Sequence, residues 1–216
     1  AFTAACIGIL VDEGKLGWDD KVIDHLPEFR LSDPYITGAL TIRDILSHRT
    51  GLGTFDGDLL WYQTDYDNKE VIRRMRYVPI RRQFRSQFGY QNTMYMTAAE
   101  IVEKISNQTW DTFLTEKILQ PLDMKTTRAC SKFLGEGMDI ARPHVGGKRY
   151  PPYIQNPNAA GSMYSCVSEM VNWMQMLLNR GKWQEQQILK PGTVETLFSP
   201  HTILRVSSLM RENGTK

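Results

Sequence analysis

The sequence predicts a mainly helical body with few strands. Apolar residues recur at helical spacing over 93–105, 110–118 and 167–178. Residues 1–11 are apolar almost all round, the pattern of a buried helix. Runs of alternating apolar and polar residues bounded by turn signals, the mark of strands, are scarce. With 216 residues, the chain is long enough for one domain with a sizeable core, or for a domain of two lobes.

Composition excludes more than it identifies. Hydrophobic residues make up 41% and charged residues 23%, an ordinary globular balance, and a net charge of +2 argues neither for nucleic acid nor for an acidic partner. No apolar run approaches the roughly 18 residues of a transmembrane helix. Cys6, Cys130 and Cys166 lack C-x-x-C spacing, so they imply no zinc knuckle or disulfide framework; at most one pair could form.

Taken in order, the first helix is stopped by Gly14, where the chain must turn left-handed. A helix this buried, starting at residue 1 without a cap, reads as cut, so the N-terminus is expected to be truncated. A turn over 15–20 leads to a short segment, 21–26, halted by Pro27, and Ser32-Asp33-Pro34 reads as another turn. Thr41 and Asp44 have capping-box spacing and open a helix from Ile42 to about His48, ending near Gly51-Leu52-Gly53. Residues 54–68 are aromatic and acidic and read as irregular. Asn68 is placed to cap a helix to about Tyr77, closed by Pro79.

Beyond this, Asn107 suits the C-cap of the 93–105 helix, and Pro121 ends the 110–118 helix. Residues 125–160 read as a long connection with room for short strands. Ser168 and Glu169 start a Met- and Trp-rich helix whose stripe reads as core, ended by Gly181, and Pro191–Phe198 reads as one more helix. The tail 205–216 is polar.

No G-x-S-x-G elbow, H-E-x-x-H, P-loop or dinucleotide fingerprint is present. His25, His48, His144 and His201 are scattered singly, without ligand spacing. Metal hydrolysis, phosphoryl transfer and hydride transfer have no positive support, and no cofactor or metal is expected. Asn107-Gln108-Thr109 and Asn213-Gly214-Thr215 match the glycosylation sequon, a pattern that also arises by chance. Arg73, Arg74, Arg76, Arg81, Arg82 and Arg85 form either an electropositive rim for carboxylate-bearing substrates or, as such runs usually do, a solvated face. Tyr90 and Asn92 lie between Gly89 and a helix start, where side chains can face a cleft. Alone, Tyr90 reads as a core-packed aromatic and Asn92 as an N-cap.

Several segments together resemble the serine β-lactamase family, in its branch of class C β-lactamases, penicillin-binding esterases and D-amino-acid peptidases. Residues 1–16 resemble the helix after that family's Ser-x-x-Lys. Leu16–Val22 with Leu26–Phe29 resembles the next segment, and Thr41–Leu52 is similar to "LLSHTSGL". Tyr90-Gln91-Asn92 falls where the family carries Tyr-x-Asn. Pro121–Thr127 resembles "PLGMxxT", and Ala160–Ser165 with Glu169-Met170 looks like "AGG-x-x-S…DM".

The resemblance implies an α+β fold, β-lactamase/transpeptidase-like, with the chain 1–216 as one domain truncated at both ends and about 42–125 as its helical lobe. It implies a serine hydrolase working through an acyl-enzyme on a small-molecule or short-peptide amide or ester: a β-lactam, a D-amino-acid peptide or a carboxylic ester. Tyr90 takes the catalytic acid/base position and Asn92 the substrate-amide position. The lysine would stand immediately before Ala1, with the serine three residues earlier. Within the sequence, no Ser or Thr has Lys three residues later.

The third motif, Lys-Thr-Gly or His-x-Gly, is also missing, and His144-Val145-Gly146 precedes the Ala160 segment instead of following it. These residues alone are therefore expected to be inactive, and to expose apolar surface that favours association. A non-catalytic member acting as a binding or scaffold module is the alternative. The family favours a periplasmic or secreted location. His48 is expected to be structural, as a helix-end ring bonded to backbone, and Gly89 to let Tyr90 turn inward. Trp61, Tyr62 and Tyr66 serve either as cleft wall or as lobe packing.

Overall fold

The computed structural model describes residues 1–135, 137–150 and 158–204. The tail 205–216, with its sequon at Asn213, lies outside them. The described residues form a helix-dominated arrangement with a few short strands.

Helix α1 (Phe2–Asp12) is the central strut: Thr3 through Leu10 are all buried, and Gly14 terminates it at φ 70°. Helix α6 (Asn92–Ser106) lies against it, burying Met94, Ala98, Ile101 and Val102, and ends at Asn107, whose φ of 57° makes the expected left-handed cap. Around α6 pack α2 (Val22–His25), α4 (Ile42–Leu46), α5 (Asn68–Arg74) and α7 (Trp110–Leu114). Helix α8 (Val167–Leu178) sends Trp173 onto Phe2, with ring centroids 4.1 Å apart. Helix α9 (Pro191–Phe198) is pinned to α1 by Asp12, which accepts from the Lys190 backbone N–H at 2.6 Å and the Thr193 hydroxyl at 2.5 Å. The approach is close because α1 carries Gly8 there: a Cβ would stand 2.7 Å from the Thr193 methyl.

Local signals explain most boundaries. Thr41 and Asp44 form the expected capping box of α4, each side chain accepting from the other's backbone N–H. Two starts differ from expectation. Asp33-Pro34 opens helix α3 (Pro34–Ala39): Asp33 accepts from Ile36 N–H and Pro34 sits in the first turn, where it has no hydrogen bond to lose. Asp67, not Asn68, caps α5, which tightens into a 3-10 turn over Met75–Tyr77. Helix α8 keeps the expected bounds, Val167–Leu178, and α7 passes into a π turn over Thr115–Leu119 before Pro121.

Strands are confined to two hairpins among the described residues. β1 (His144–Val145) pairs with β2 (Lys148–Arg149), and β3 (Lys182–Trp183) with β4 (Gln186–Gln187). The first turns through Gly146 and Gly147, both at positive φ. His144-Val145-Gly146 therefore lies on an exposed hairpin. The 121–127 and 160–170 segments meet: Glu169 accepts from the Thr126 and Thr127 backbone N–H groups at 2.7 and 2.8 Å. Cys6 and Cys130 are buried and Cys166 exposed, all three as free thiols.

Candidate active site

The site is built where two irregular segments run side by side. After α4, the chain from His48 to Gly53 runs next to the chain from Arg82 to Gln91. Backbone hydrogen bonds join Arg82 N–H to Gly51 O, Arg85 N–H to Arg49 O and Gly89 N–H to His48 O. The pairing is locked from below by Asp44. This fully buried carboxylate accepts from Arg49 at 2.6 Å and from Arg85 at 2.7 Å. Burial opposes its charge, but the hydrogen bonds from Arg85, Thr41 and Arg49 prevail and hold it below the usual carboxylate range.

Gly89 is required by this close approach. A Cβ there would fall 2.2 Å from the Leu52 carbonyl oxygen, a backbone atom. The next residue, Tyr90, emerges with 37% of its surface exposed. Its ring lies 4.7 Å from the His48 ring and meets Phe55 edge-on at 5.5 Å. Among the described residues its hydroxyl has no hydrogen-bond partner.

His48 fixes the segment. Its Nδ1 accepts from the Gln91 backbone N–H at 3.1 Å, and its ring also stacks on Tyr95 at 5.2 Å. Accepting at Nδ1 demands the neutral imidazole, and burial lowers its pKa to about 4. This is the backbone-bonded ring expected from the sequence. Tyr95 is excluded as the base: its hydroxyl donates to Leu46 O at 3.0 Å, and burial pushes its phenol up to about 12.

Asn92 is the first residue of α6, and Gln91 holds the N-cap position. The Asn92 side chain is thus free of capping, and its Nδ2 donates to Asp58 Oδ2 at 2.7 Å. The other Asp58 oxygen accepts from the Trp61 indole N–H at 3.2 Å. The buried Gln91 side chain donates to Gly53 O, and Phe55 N–H donates to Tyr90 O at 2.8 Å. Residues 53–61 are in this way fastened onto Tyr90-Gln91-Asn92, and they contain a 3-10 turn, Asp58–Leu60. Phe55, Asp58 and Gln91 are the contacts that sequence reasoning missed. The Asp56-Gly57 turn signal was the one local hint of order there.

Of the three aromatic residues weighed as cleft wall, Trp61 is half-buried on Asp58 and the Tyr66 ring carries Arg74 at 4.1 Å, while Tyr62 is exposed. Five of the six arginines bond to their own neighbours. Arg73 and Arg74 grip Glu70, Arg76 reaches Arg73 O, Arg82 donates to Phe88 O and Arg85 is held by Asp44. These five act as local ties, and Arg81 is exposed.

A cavity of about 270 Å³ lies between the start of α1 and α8, lined by Ala1, Ala4, Tyr95, Trp173 and Leu177 among others. Tyr95, on its wall, stacks on His48, whose other neighbour is the Tyr90 ring; Tyr90 and Asn92 themselves lie outside the cavity lining. Among the described residues no His, Cys, Asp and Glu cluster could hold a metal ion, and no helix is long and apolar enough to cross a membrane.

A buried strut helix crossed by α6, with a Tyr-x-Asn turn at its start, places the molecule among β-lactamase- and penicillin-binding-protein-like folds. The family model for beta-lactamases matches residues 1–206, and the chain belongs to that family. An unguisins hydrolase of Aspergillus campestris is 28% identical over 94% of this chain and 40% of its own length. A penicillin-binding protein of Bacillus subtilis is 27% identical over 92% of this chain and 46% of its own. The chain thus spans less than half of these curated relatives. A penicillin-binding protein of Bacillus halodurans superposes with a TM-score of 0.75 at 20% identity, over 94% of this chain and 62% of that one. These likenesses make the structure the helix-rich portion of an α+β fold.

Proposed function

We propose that the chain carries the acid/base and amide-binding portion of a serine acyl-transfer site. Tyr90 acts as acid/base and Asn92 as the ligand of the substrate amide, within one β-lactamase-related domain whose helical lobe is about 42–125. The observation that carries this is the anchoring of Tyr90-Gln91-Asn92 by His48, Gly53 and Asp58, which leaves the Tyr90 ring exposed. A phenol with pKa near 10 serves as a base only beside a positive charge. The family pattern puts a lysine immediately before Ala1, and Ala1 lines the same cavity as Tyr95, two aromatic contacts from Tyr90.

The serine oxygen adds to an amide or ester carbonyl while Tyr90 takes its proton and passes it to the leaving group, and water then releases the acyl group. The substrate is a small molecule or short peptide: a β-lactam, a D-amino-acid peptide or a carboxylic ester. The 216 residues contain no Ser-x-x-Lys, so on this account they are inactive alone.

The test is turnover of nitrocefin, D-alanyl-D-alanine and p-nitrophenyl butyrate by the full-length protein. Tyr90→Phe is expected to lower kcat on whichever is accepted by about 10²–10⁴-fold. Unchanged turnover in a folded Tyr90→Phe protein contradicts the assignment. A folded wild type that neither turns over nor labels with a fluorophosphonate points to a non-catalytic binding module.

A further inference from the structure

We propose that Phe55 is a specificity-determining residue, the fixed aromatic wall against which the acyl group of the substrate packs, and that the site therefore favours acyl donors with an aromatic or bulky apolar side chain. This rests on the reading of Tyr90 as the acid/base.

Three independent observations meet at Phe55. Its backbone φ is 63°, in the left-handed region that a bulky L-residue adopts only at a cost and that Gly or Asn would occupy freely. Such strain persists where the surroundings over-determine it, and clusters at ligand sites. Its side chain gains little burial in return, for the residue is 58% exposed. The part that is packed meets Tyr90, ring edge to ring face at 5.5 Å.

The wall is held rigidly. Phe55 N–H donates to Tyr90 O at 2.8 Å, and Asp56 Oδ2 accepts from Gly53 N–H at 2.7 Å. Gly57, at φ 87°, brings the loop so near Met75 that a Cβ would stand 2.6 Å from its sulfur. Asp58 closes the far side on Asn92. Any acyl group reacting beside the Tyr90 hydroxyl passes a pre-set, solvent-exposed ring, which rewards an aromatic or branched apolar substituent and gives nothing to a methyl.

The experiment compares kcat/KM for p-nitrophenyl phenylacetate and p-nitrophenyl acetate in the full-length protein, its Phe55→Ala variant and its Phe55→Tyr variant. Wild type is expected to prefer phenylacetate. The preference should fall about tenfold in Phe55→Ala and return in Phe55→Tyr. A ratio unchanged within about twofold overturns the proposal.

A second readout needs neither turnover nor a variant: aromatic ¹H–¹³C spectra of the wild-type protein titrated with phenylacetamide or acetamide. Shifts of the Phe55 and Tyr90 ring resonances with phenylacetamide alone support the wall, and their absence overturns it. Loss of Tyr90-dependent hydrolysis with those shifts intact would sink the hydrolase reading and spare the wall.

Discussion

The Asn92 side-chain amide donates to the Asp58 carboxylate at 2.7 Å, across 34 positions of sequence. An amide has two N–H groups and a carbonyl oxygen, so this bond fixes the rotamer while leaving one donor and the acceptor for a substrate. The charged acceptor also makes the bond a strong one.

Asp58→Ala is therefore expected to strand both Asn92 and the Trp61 indole N–H. The stability loss should be about 1–2 kcal/mol, read by urea denaturation. In the full-length protein, KM for acylamide-bearing substrates should rise more than KM for simple esters. Equal stability and equal KM values would show that the carboxylate does not orient Asn92.

Gly89→Ala places a methyl carbon 2.2 Å from a backbone carbonyl, and only a backbone shift can relieve it. A loss of about 2–4 kcal/mol is expected, together with displacement of Tyr90. Gly38→Ala is the matched control: it lies within α3 with nothing inside 4 Å of the added carbon. It should be neutral or stabilising by up to about 1 kcal/mol. Thermal melts of the two variants decide the matter.

His48 sets a pH dependence of stability. Its pKa is lowered from 6.5 to about 4 in the folded state. The unfolded chain thus binds the extra proton first, and the contribution is fully present above pH 6.5. It declines as pH falls, and is lost once pH passes through about 4. The full shift would correspond to about 3.4 kcal/mol, and solvent screening of the partly exposed ring reduces the expected amplitude to about 2 kcal/mol. His48→Gln should remove this component from the pH–stability curve; an unaltered slope between pH 4 and 6.5 would assign it to other groups.

Much of the fold was legible, because α4, α6 and α9 carry local signals: the Thr41–Asp44 box, the spacing up to Asn107, and Pro191 at a first turn. What was missed lacks such signals or carries ambiguous ones. Asp33-Pro34 serves a turn and a helix start equally well. Strands of two residues, such as β3 and β4, have no period to detect. At the site, Tyr90 and Asn92 stood out only through a family pattern. The residue between them, Gln91, is the buried one and anchors the turn. The order of residues 53–61 comes from bonds to Tyr90, Gln91 and Asn92, more than thirty positions away, which no local window contains.

The most direct test of Tyr90 as the acid/base is covalent labelling by a fluorescent fluorophosphonate. The full-length protein should label at a serine, at a rate that falls at least about a hundredfold in a folded Tyr90→Phe variant, while the 216 residues alone remain unlabelled. Specific, Tyr90-dependent labelling of the 216 residues by themselves, or labelling of the full-length protein that is indifferent to Tyr90→Phe, would contradict it.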